Sequence, residues 1–404
     1  MMDLGWRRLG AAVAVAAVLA GAACSSDDGT DPGASGADGS SADSSVASGY
    51  PRDDELRMNE IQVMGTHNSY HGYPQAVFTE ALEQLYPGIT TEWQYGQDPL
   101  PVQLADQGVR QVELDVWFDP DGRYAERKAQ ALAGLPLEPH PELAEPGIKV
   151  LHIMEVDAES TCLTFVACLT ELETWSQANP GHAPVLVLVE AKADAIPDPL
   201  ELGFVTPVPW GEAELDALDA EIRSVFDDDQ LITPDLVRGD AATLEEAVLE
   251  TGWPTMAVAR GRMMFALDNG DEVMEAYQAG HPSLEGRVLF TGGDGPGTPE
   301  AAFMKLNDPV ADGATIAEVV EQGYVVRTRG DAGTTPGQEA YDNREAALAS
   351  GAQYISTDHP VPDPAIDPGF SVQIPDGTPG RCNPRVAPSW CTPADVESPE
   401  HLAG

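Results

Sequence analysis

The sequence predicts an α/β fold, a single-domain (β/α)₈ barrel of the TIM type. Eight short segments rich in Val, Ile and Leu alternate with segments of helical spacing, the pattern expected of parallel strands covered by helices. No GxGxxG turn follows the first strand, which favours the barrel over the alternative, a doubly wound open sheet. The predicted strands are IQVMGT (61–66), QVELDVWF (111–118), KVLHI (149–153), PVLVLVEA (184–191), RMMFALD (262–268), RVLFTG (287–292), GYVVRT (323–328) and QYISTD (353–358).

Five segments between these strands alternate acidic and apolar residues at roughly helical spacing, which predicts amphipathic helices. They are LADQ (104–107), CLTELETWSQAN (168–179), AELDALDAEIRSVF (213–226), TIAEVVEQ (315–322) and YDNREAALASG (341–351). Together the strands and helices predict one barrel domain spanning residues 51–360.

The first 24 residues predict an export signal. Trp6-Arg7-Arg8 precede the apolar stretch LGAAVAVAAVLAGAA, which is shorter than the about 20 residues that a membrane span needs. The stretch LAGAAC resembles a lipobox ending at Cys24, although Gly21 stands where Leu is usual. We therefore expect an exported bacterial protein, either a cell-surface lipoprotein that meets the membrane through a lipid on Cys24 or a secreted protein without that anchor.

Two further segments lie outside the predicted barrel. Residues 25–50 consist mainly of Ser, Gly, Ala and Asp, with almost nothing to bury, which predicts a flexible tether. Residues 361–404 are rich in Pro and predict a loosely packed C-terminal strap.

The cysteines favour local disulfides. Once Cys24 is set aside, four of the five cysteines remain, in two close pairs. Because an exported protein meets oxidising conditions, we expect the disulfides Cys162–Cys168 and Cys382–Cys391. A zinc site is the alternative, but neither pair has CxxC spacing and no His cluster accompanies them.

The charge excludes one class of partner. The chain has 67 Asp and Glu against 21 Lys and Arg, a formal net charge of -46. Such a field repels nucleic acid, and no basic stripe with interleaved aromatic residues is present. We expect no nucleic-acid partner, and we expect a monomer.

Reactive side chains lie at the carboxyl ends of most predicted strands, which is where barrel enzymes carry their chemistry. The first strand ends in His67-Asn68, the second contains Glu113 and Asp115, and the third ends in His152. The remaining groups, in chain order, are Glu190, Lys192, Asp268, Arg327, Arg329, Asp331 and Asp358.

Four of these side chains predict a metal site. Glu113 and Asp115 are two residues apart in a strand and therefore share a face. With Glu190 and the carboxamide of Asn68 they supply only oxygen, the ligand type of a hard cation such as Ca²⁺, with Mg²⁺ as the other candidate.

The two histidines predict acid–base chemistry. Beside a hard cation, His67 and His152 are better suited to proton transfer than to metal binding. For either histidine alone a packing role is the alternative.

The order of these motifs resembles that of the bacterial calcium-dependent phosphatidylinositol-specific phospholipases C. The resemblance runs from about Asn59 to Pro360. It depends on the stretches THNSYH, VELDVW, LHI, the C-(x)₅-C run into WSQANPGHAP, VLVEAK, RTRGDA and SGAQYISTDHP.

The resemblance implies roles for single positions. It implies that His67 and His152 are the catalytic pair. It implies a calcium site made by Asn68, Glu113, Asp115 and Glu190, and substrate contacts from Lys192, Arg329, Asp331 and Asp358. Residues 193–261 and the Pro-rich tail have no counterpart in the resemblance.

The implied reaction is cleavage of the glycerol–phosphate bond of a phosphoinositide-like lipid, with His67 as base and His152 as acid. Two alternatives remain. A glycerophosphodiester phosphodiesterase is also a barrel with a Glu-x-Asp pair, two histidines and a hard metal, but it usually has Arg where Asn68 stands. The other is a non-catalytic lipid- or glycan-binding lipoprotein, which predicts loss of a catalytic or metal residue.

Overall fold

A computed structural model of the protein describes residues 49–402, except for 86, 89, 91–92, 133, 135–139, 199–200, 293–294, 332–336, 364–368 and 376–378. The predicted signal segment, Cys24 and nearly all of the predicted tether lie outside the described residues. Among the helices that are described, none combines the length and the apolarity needed to cross a bilayer.

A single sheet of eleven strands organises the described chain. In chain order the strands are β1 Ile61–Thr66, β2 Gln111–Asp119, β3 Gly147–Val150, β4 Val185–Ala191, β5 Leu231–Ile232, β6 Met263–Leu267, β7 Leu289–Thr291, β8 Phe303–Lys305, β9 Val325–Arg329, β10 Tyr354–Thr357 and β11 Gly380–Cys382. The α-helices are Ala76–Leu85, Leu100–Ala105, Lys128–Leu132, Phe165–Ala178, Glu212–Val225, Pro234–Arg238, Leu244–Glu246, Met256–Ala259, Asp271–Gln278, Pro309–Gln322, Gln338–Ser350 and Pro393–Val396. Four of the five predicted helices are present, and the fifth prediction, LADQ (104–107), overlaps the helix Leu100–Ala105 only at its first two residues.

Eight of these strands run parallel in the order β7-β6-β4-β2-β1-β10-β9-β8, with the short β5 pairing with the start of β6. In the described chain no hydrogen-bonded ladder joins β7 to β8, so the ring of strands has an open seam there. The observed fold is therefore a parallel α/β half-barrel, consistent with a TIM-like barrel, and the closed eight-strand barrel predicted from the sequence is not confirmed.

The central strands are buried because both of their faces are covered. The side chains of Val185–Val189 in β4 have no solvent exposure, and Val112 and Leu114 of β2 are equally buried. Continuous apolar runs of this kind are typical of parallel strands with helices outside and packed side chains inside. This buried layer gives the strand ends a rigid support.

The predicted strand at 149–153 has a different role. β3 ends at Val150 and runs antiparallel to the extended end of β2. Val116 pairs with Ala191 of β4 on one edge and with Val150 on the other, so β3 lies on the β1 side of β2. His152 therefore belongs to a loop above the sheet and does not end a barrel strand. A five-residue run of apolar character cannot by itself distinguish the two arrangements.

Both predicted disulfides are present. Cys162–Cys168 joins the loop after β3 to the first turn of the helix Phe165–Ala178, and Cys382–Cys391 holds the tail to itself. The predicted zinc alternative is therefore wrong.

The C-terminal tail is packed more tightly than the sequence predicted. β11 adds to β1 as an antiparallel edge, and Val396 is fully buried. The buried Glu397 accepts hydrogen bonds from Arg110 Nε at 2.7 Å and from the backbone N–H of Ala183 at 2.8 Å. Because Arg110 and Ala183 precede β2 and β4, this part of the tail covers the amino-terminal end of the sheet.

Candidate active site at the carboxyl ends of the strands

A cavity of about 740 Å³ opens at the carboxyl end of the sheet. It extends from the end of β1 to the seam between β7 and β8. Its lining residues are His67, Glu113, Glu190, Asp268, Asn269, Gly270, Glu272, Val273, Lys305, Asn307, Arg327 and Arg329. Acidic and basic side chains alternate around this cavity, which indicates a site for a polar, charged ligand rather than an apolar one.

His67 follows β1, with its ring about one quarter exposed. Its Nδ1 lies 2.7 Å from Asp358 Oδ1, and its Nε2 lies 3.7 Å from Glu113 Oε1. Because a carboxylate only accepts hydrogen bonds, Nδ1 carries the proton and Nε2 of the neutral ring offers a lone pair to the cavity. The backbone then turns through Asn68 at a φ of 43°, a left-handed conformation that Asn tolerates better than most residues.

Asp358 is held on its other side by Arg329. Arg329 Nη2 donates to Asp358 Oδ2 at 2.8 Å and to Asp331 Oδ1 at 2.7 Å. Burial alone raises the pKa of the Asp358 carboxyl, but Arg329 and His67 outweigh it and hold that pKa well below its usual value. Asp331 Oδ2 accepts from Thr357 Oγ1 and from the backbone N–H of Asp358. The group therefore fixes a carboxylate behind His67.

Three carboxylates from neighbouring strands form the cluster predicted for a metal. Asp115 of β2 is paired in register with Glu190 of β4, and Glu113 lies two residues earlier on the same face. One oxygen of each carboxylate lies within 4.8 Å of the others. Parallel strands with alternating side chains place these groups together, as the sequence predicted.

The polar atoms around this cluster fit a hard cation. Asn68 is 2% exposed, and its Oδ1 has no hydrogen-bond partner in the part of the chain that is described. Its Nδ2 donates to the hydroxyl of Tyr95 at 3.0 Å, which fixes the orientation of the amide. Asp115 Oδ1 is also buried without a hydrogen-bond partner among the described residues, whereas Asp115 Oδ2 lies 3.2 Å from Lys192 Nζ. Unsatisfied buried oxygens of this kind are the ligands that Ca²⁺ uses.

Two cations already lie beside the cluster. Lys192 Nζ is 2.8 Å from Glu190 Oε1 and 3.2 Å from Asp115 Oδ2, and Arg327 Nη2 donates to Glu113 Oε2. Burial and the neighbouring carboxylates raise the pKa of Asp115 well above its ordinary value, although Lys192 acts in the opposite direction. Lys192 and Arg327 therefore do not fully offset the negative charge of the three carboxylates, and binding of a further cation beside them would be favourable.

His152 is not among the residues that line the cavity. Its Nδ1 is 2.7 Å from Asp157 Oδ2, and its side chain is 18% exposed. Burial lowers the pKa of His152 to about 4, although Asp157 acts to raise it. The ring stacks edge-on against the buried His71 and against Trp93. His152 thus resembles His67 in having a carboxylate on Nδ1.

The wall of the cavity near the seam was not assigned from the sequence. Lys305 of β8 donates from Nζ to the backbone carbonyl of Asp268 at 2.8 Å and forms an ion pair with Asp268 Oδ2. Asn307 Oδ1 accepts from Arg327 Nη1 at 2.7 Å. Asp268 and Arg327 were visible in the sequence as strand-end groups, whereas β8 was not predicted at all.

The structure thus brings nearly all of the predicted site residues to one end of the sheet. His67, Glu113, Glu190 and Arg329 line the cavity, while Asn68, Asp115 and Lys192 lie directly behind it. Asp331 and Asp358 are buried and do not line the cavity. Asp331 accepts a hydrogen bond from Arg329, and Asp358 accepts one from His67. The sequence analysis missed His71, Tyr95, Asp157, Lys305 and Asn307, of which only His71 lies inside a quoted motif.

Two histidine–carboxylate pairs and a cluster of oxygen ligands at the carboxyl end of a parallel α/β half-barrel suit acid–base chemistry beside a hard cation. The family model described as "Phosphoinositide phospholipase C, Ca2+-dependent" matches residues 56–384. The chain belongs to this family, whose members are phosphodiesterases of the phospholipase C type, and the protein is an enzyme of that kind. No curated protein matches the chain at a significant level.

Two solved structures are similar to this chain. A calcium-dependent phosphoinositol-specific phospholipase C from a Pseudomonas species shares 16% identity at a TM-score of 0.51, over 82% of this chain and 97% of its own. A Ca²⁺-dependent phosphatidylinositol-specific phospholipase C from Streptomyces antibioticus shares 19% identity at a TM-score of 0.47, over 75% of this chain and 95% of its own. The first of these likenesses supports a TIM-like arrangement of the sheet.

Proposed function

We propose that the protein is a calcium-dependent phospholipase C that cleaves the glycerol–phosphate bond of a phosphoinositide-like lipid. The proposal rests on one observation: His67 and His152 each have Nδ1 2.7 Å from a buried carboxylate, and His67 Nε2 lies 3.7 Å from Glu113 of the cluster of oxygen ligands. Family membership favours this function over the two alternatives, a glycerophosphodiester phosphodiesterase and a non-catalytic lipoprotein.

His67 is proposed as the general base. With Nδ1 committed to Asp358, its Nε2 can accept the proton of the inositol hydroxyl next to the phosphate. The oxygen of that hydroxyl then attacks phosphorus. Because Asp358 stays ionised, it stabilises the imidazolium that forms on His67.

Asn68, Glu113, Asp115 and Glu190 are proposed to hold Ca²⁺, and Mg²⁺ is the other cation that oxygen ligands suit. When bound, the metal would offset the charge of the phosphate and lower the pKa of the attacking hydroxyl. Lys192 and Arg329 are proposed to contact the phosphate, although each is also paired with carboxylates. Asp331 and Asp358 would act by holding Arg329 and His67.

His152 is proposed as the general acid. Protonated on Nε2, it would give that proton to the glycerol oxygen as the phosphorus–oxygen bond breaks. The products are diacylglycerol and a cyclic inositol phosphate. The low pKa of the buried ring makes the protonated form a strong acid, and the phosphate anion of a bound substrate favours that form.

The head group would lie against the wall near the seam. Asp268 Oδ1 is buried without a hydrogen-bond partner in the described chain, and Lys305, Asn269 and Asn307 line the same part of the cavity. Acceptors and donors that alternate in this way suit a ring of hydroxyl groups.

The site of action is proposed from the sequence alone. The apolar N-terminal stretch and Cys24 would export the enzyme and either anchor it by a lipid or release it. The charge of -46 disfavours direct attraction to an anionic membrane, so an anchor would help the enzyme to stay near its substrate.

A substrate panel tests the proposal. The full chain is assayed on phosphatidylinositol, phosphatidylcholine and glycerophosphoinositol in detergent micelles, with Ca²⁺, with excess chelator, and with Ca²⁺ restored. We expect cleavage of phosphatidylinositol that chelation abolishes and add-back restores, with a cyclic phosphate seen by ³¹P NMR. Full activity in chelator, or preference for the deacylated diester, contradicts the proposal.

A further inference from the structure

A second buried histidine lies behind His152. His71 has no solvent exposure, and its ring centroid is 5.4 Å from that of His152. His71 and His152 both contact the same atom, Asp157 Oδ2, at 2.8 Å and 2.7 Å. We infer that His71 and Asp157 are positioning residues for His152, an inference that rests on the proposed function of His152 as general acid.

The hydrogen-bond directions follow from the partners. The backbone carbonyl of Tyr95, 3.0 Å from His71 Nδ1, can only accept, so His71 Nδ1 donates to it. Attraction from His71 and His152 keeps Asp157 ionised by holding its pKa below the usual range, against the effect of burial. The ionised Asp157 accepts from both rings, and His71, which donates from both of its nitrogens, is therefore an imidazolium, in line with the raised pKa that Asp157 gives it against the effect of burial. This arrangement fixes the proton of His152 on Nδ1 and directs its Nε2 away from Asp157.

The backbone supports the same arrangement. Ile153 and Asp157 exchange two backbone hydrogen bonds of 2.9 Å, which close a turn directly after His152. Glu155 within this turn has a φ of 69°, a conformation that costs free energy for a residue other than Gly. Its carboxylate accepts from the backbone N–H of Ala129 at 2.9 Å. The hydrogen bond from Ala129 thus stabilises the turn. The turn places Asp157 next to the ring of His152.

The same network reaches the metal ligands. Tyr95 binds His71 through its backbone carbonyl, and its hydroxyl accepts from Asn68 Nδ2 at 3.0 Å. Asn68, Tyr95, His71, Asp157 and His152 therefore form one hydrogen-bonded chain. The side chain of Tyr95 contacts Asn68 at the proposed metal site, whereas His71 and Asp157 contact His152, the proposed general acid, directly or through each other. Substitutions at the two ends should therefore have different consequences.

Leaving-group chemistry separates positioning of an acid from general structural damage. A glycerol oxygen needs a proton to leave, whereas a nitrophenolate leaves without one. We compare phosphatidylinositol with a nitrophenyl ester of inositol phosphate for the full-length wild type, Asp157→Asn and His71→Gln. We expect kcat on phosphatidylinositol to fall roughly 10–100-fold for Asp157→Asn and about 10-fold for His71→Gln. On the nitrophenyl ester both variants should stay within about 3-fold of the wild type.

Two further variants complete the test. His182→Gln is the matched control, since His182 is equally buried between the backbone carbonyl of Ala183 and the hydroxyl of Ser176 but lies away from the cavity. It should leave both rates unchanged. Tyr95→Phe removes the hydroxyl that accepts from Asn68, so it should weaken Ca²⁺ binding measured by calorimetry. Because it keeps the backbone carbonyl that binds His71, the ratio of the two rates should stay as in the wild type.

Three results would overturn the inference: equal losses on both substrates in Asp157→Asn and His71→Gln, no loss on phosphatidylinositol in either, or a loss in the His182→Gln control as large as theirs. If Asp157→Asn does not fold, the rate ratio of His71→Gln, which keeps a donor near Asp157, decides alone. A wild-type enzyme inactive on both substrates contradicts the proposed function instead, so the two failures are distinguishable.

Discussion

Asp358 Oδ1 lies 2.7 Å from His67 Nδ1, although 291 residues separate the two in the chain. β1, which leads to His67, and β10, which leads to Asp358, are adjacent parallel strands, with Thr66 paired to Thr357. The contact therefore follows directly from the strand order. It links the first and last parallel strands of the chain at the place where the proposed chemistry starts.

Replacement of Asp358 tests the role of this contact. In Asp358→Asn the amide can no longer stabilise an imidazolium on His67, and it permits the wrong tautomer of the ring. We expect kcat on phosphatidylinositol to fall about 10²-fold with little change in KM. Asp342→Asn, on the exposed face of the outer helix Gln338–Ser350, is the control and should be unaffected. If the Asp358→Asn variant is as active as the wild type, Asp358 has only a structural role.

The oxygen cluster predicts the effect of removing single carboxylates. Asp115→Asn and Glu190→Gln should each raise the Kd for Ca²⁺ at least about 10-fold, because each removes charge from the proposed ligand set. Calorimetry on the purified protein measures this without a substrate. Glu272→Gln provides the comparison, since Glu272 lines the same cavity but is not part of the cluster. Unchanged Ca²⁺ affinity in both cluster variants would exclude these residues as ligands.

The wall near the seam predicts an effect on substrate binding. Lys305→Met removes the ammonium that bonds to Asp268, so Asp268 would lose this partner. The surface proposed to bind the head group would then be less well ordered. We expect KM for phosphatidylinositol to rise about 10-fold, with Ca²⁺ affinity within 2-fold of the wild type. A fall in kcat alone, at unchanged KM, would show that this wall does not bind the head group.

His182 predicts part of the pH dependence of stability. Burial lowers its pKa to about 4, whereas an unfolded histidine titrates near about 6.5. Between these two values the unfolded chain binds a proton that the folded chain does not, so stability falls as the pH drops from 6.5 to 4. The contribution is at most about 3 kcal/mol.

His182→Gln removes this titration, so its Tm should fall less steeply than that of the wild type over the same pH range. Thermal unfolding at several pH values measures the two slopes. Parallel slopes would show that His182 does not contribute.

Much of the sheet could be predicted because its strands are buried on both faces. Apart from the segment at 149–153, every predicted strand is present as a parallel strand with nearly the predicted bounds. β8 escaped detection because its three residues, Phe303–Lys305, are too few to show a pattern. The antiparallel direction of β3 depends on which edge of β2 is free, and this is a tertiary property.

The grouping of the proposed metal ligands was predictable for a similar reason. Alternation along β2 and the register with β4 bring Glu113, Asp115 and Glu190 together once the strands are known. Asp157 was not predictable, because its contact with His152 depends on a turn containing a left-handed Glu155. Asp331 was assigned to the substrate because its position at a strand end is visible in the sequence, whereas its burial under Arg329 is not.

Kinetics of the single and double Ala variants test whether His67 and His152 act as a pair. Each single variant, His67→Ala or His152→Ala, should lose roughly 10²–10⁴-fold in kcat on phosphatidylinositol, because each removes one end of the proton path. The double variant should be scarcely slower than the slower single variant, since residues that act as one unit are strongly non-additive. His140, whose side chain is one third exposed, is replaced by Ala as the control. Near-normal turnover in either single variant, or losses that simply multiply in the double variant, would contradict the account.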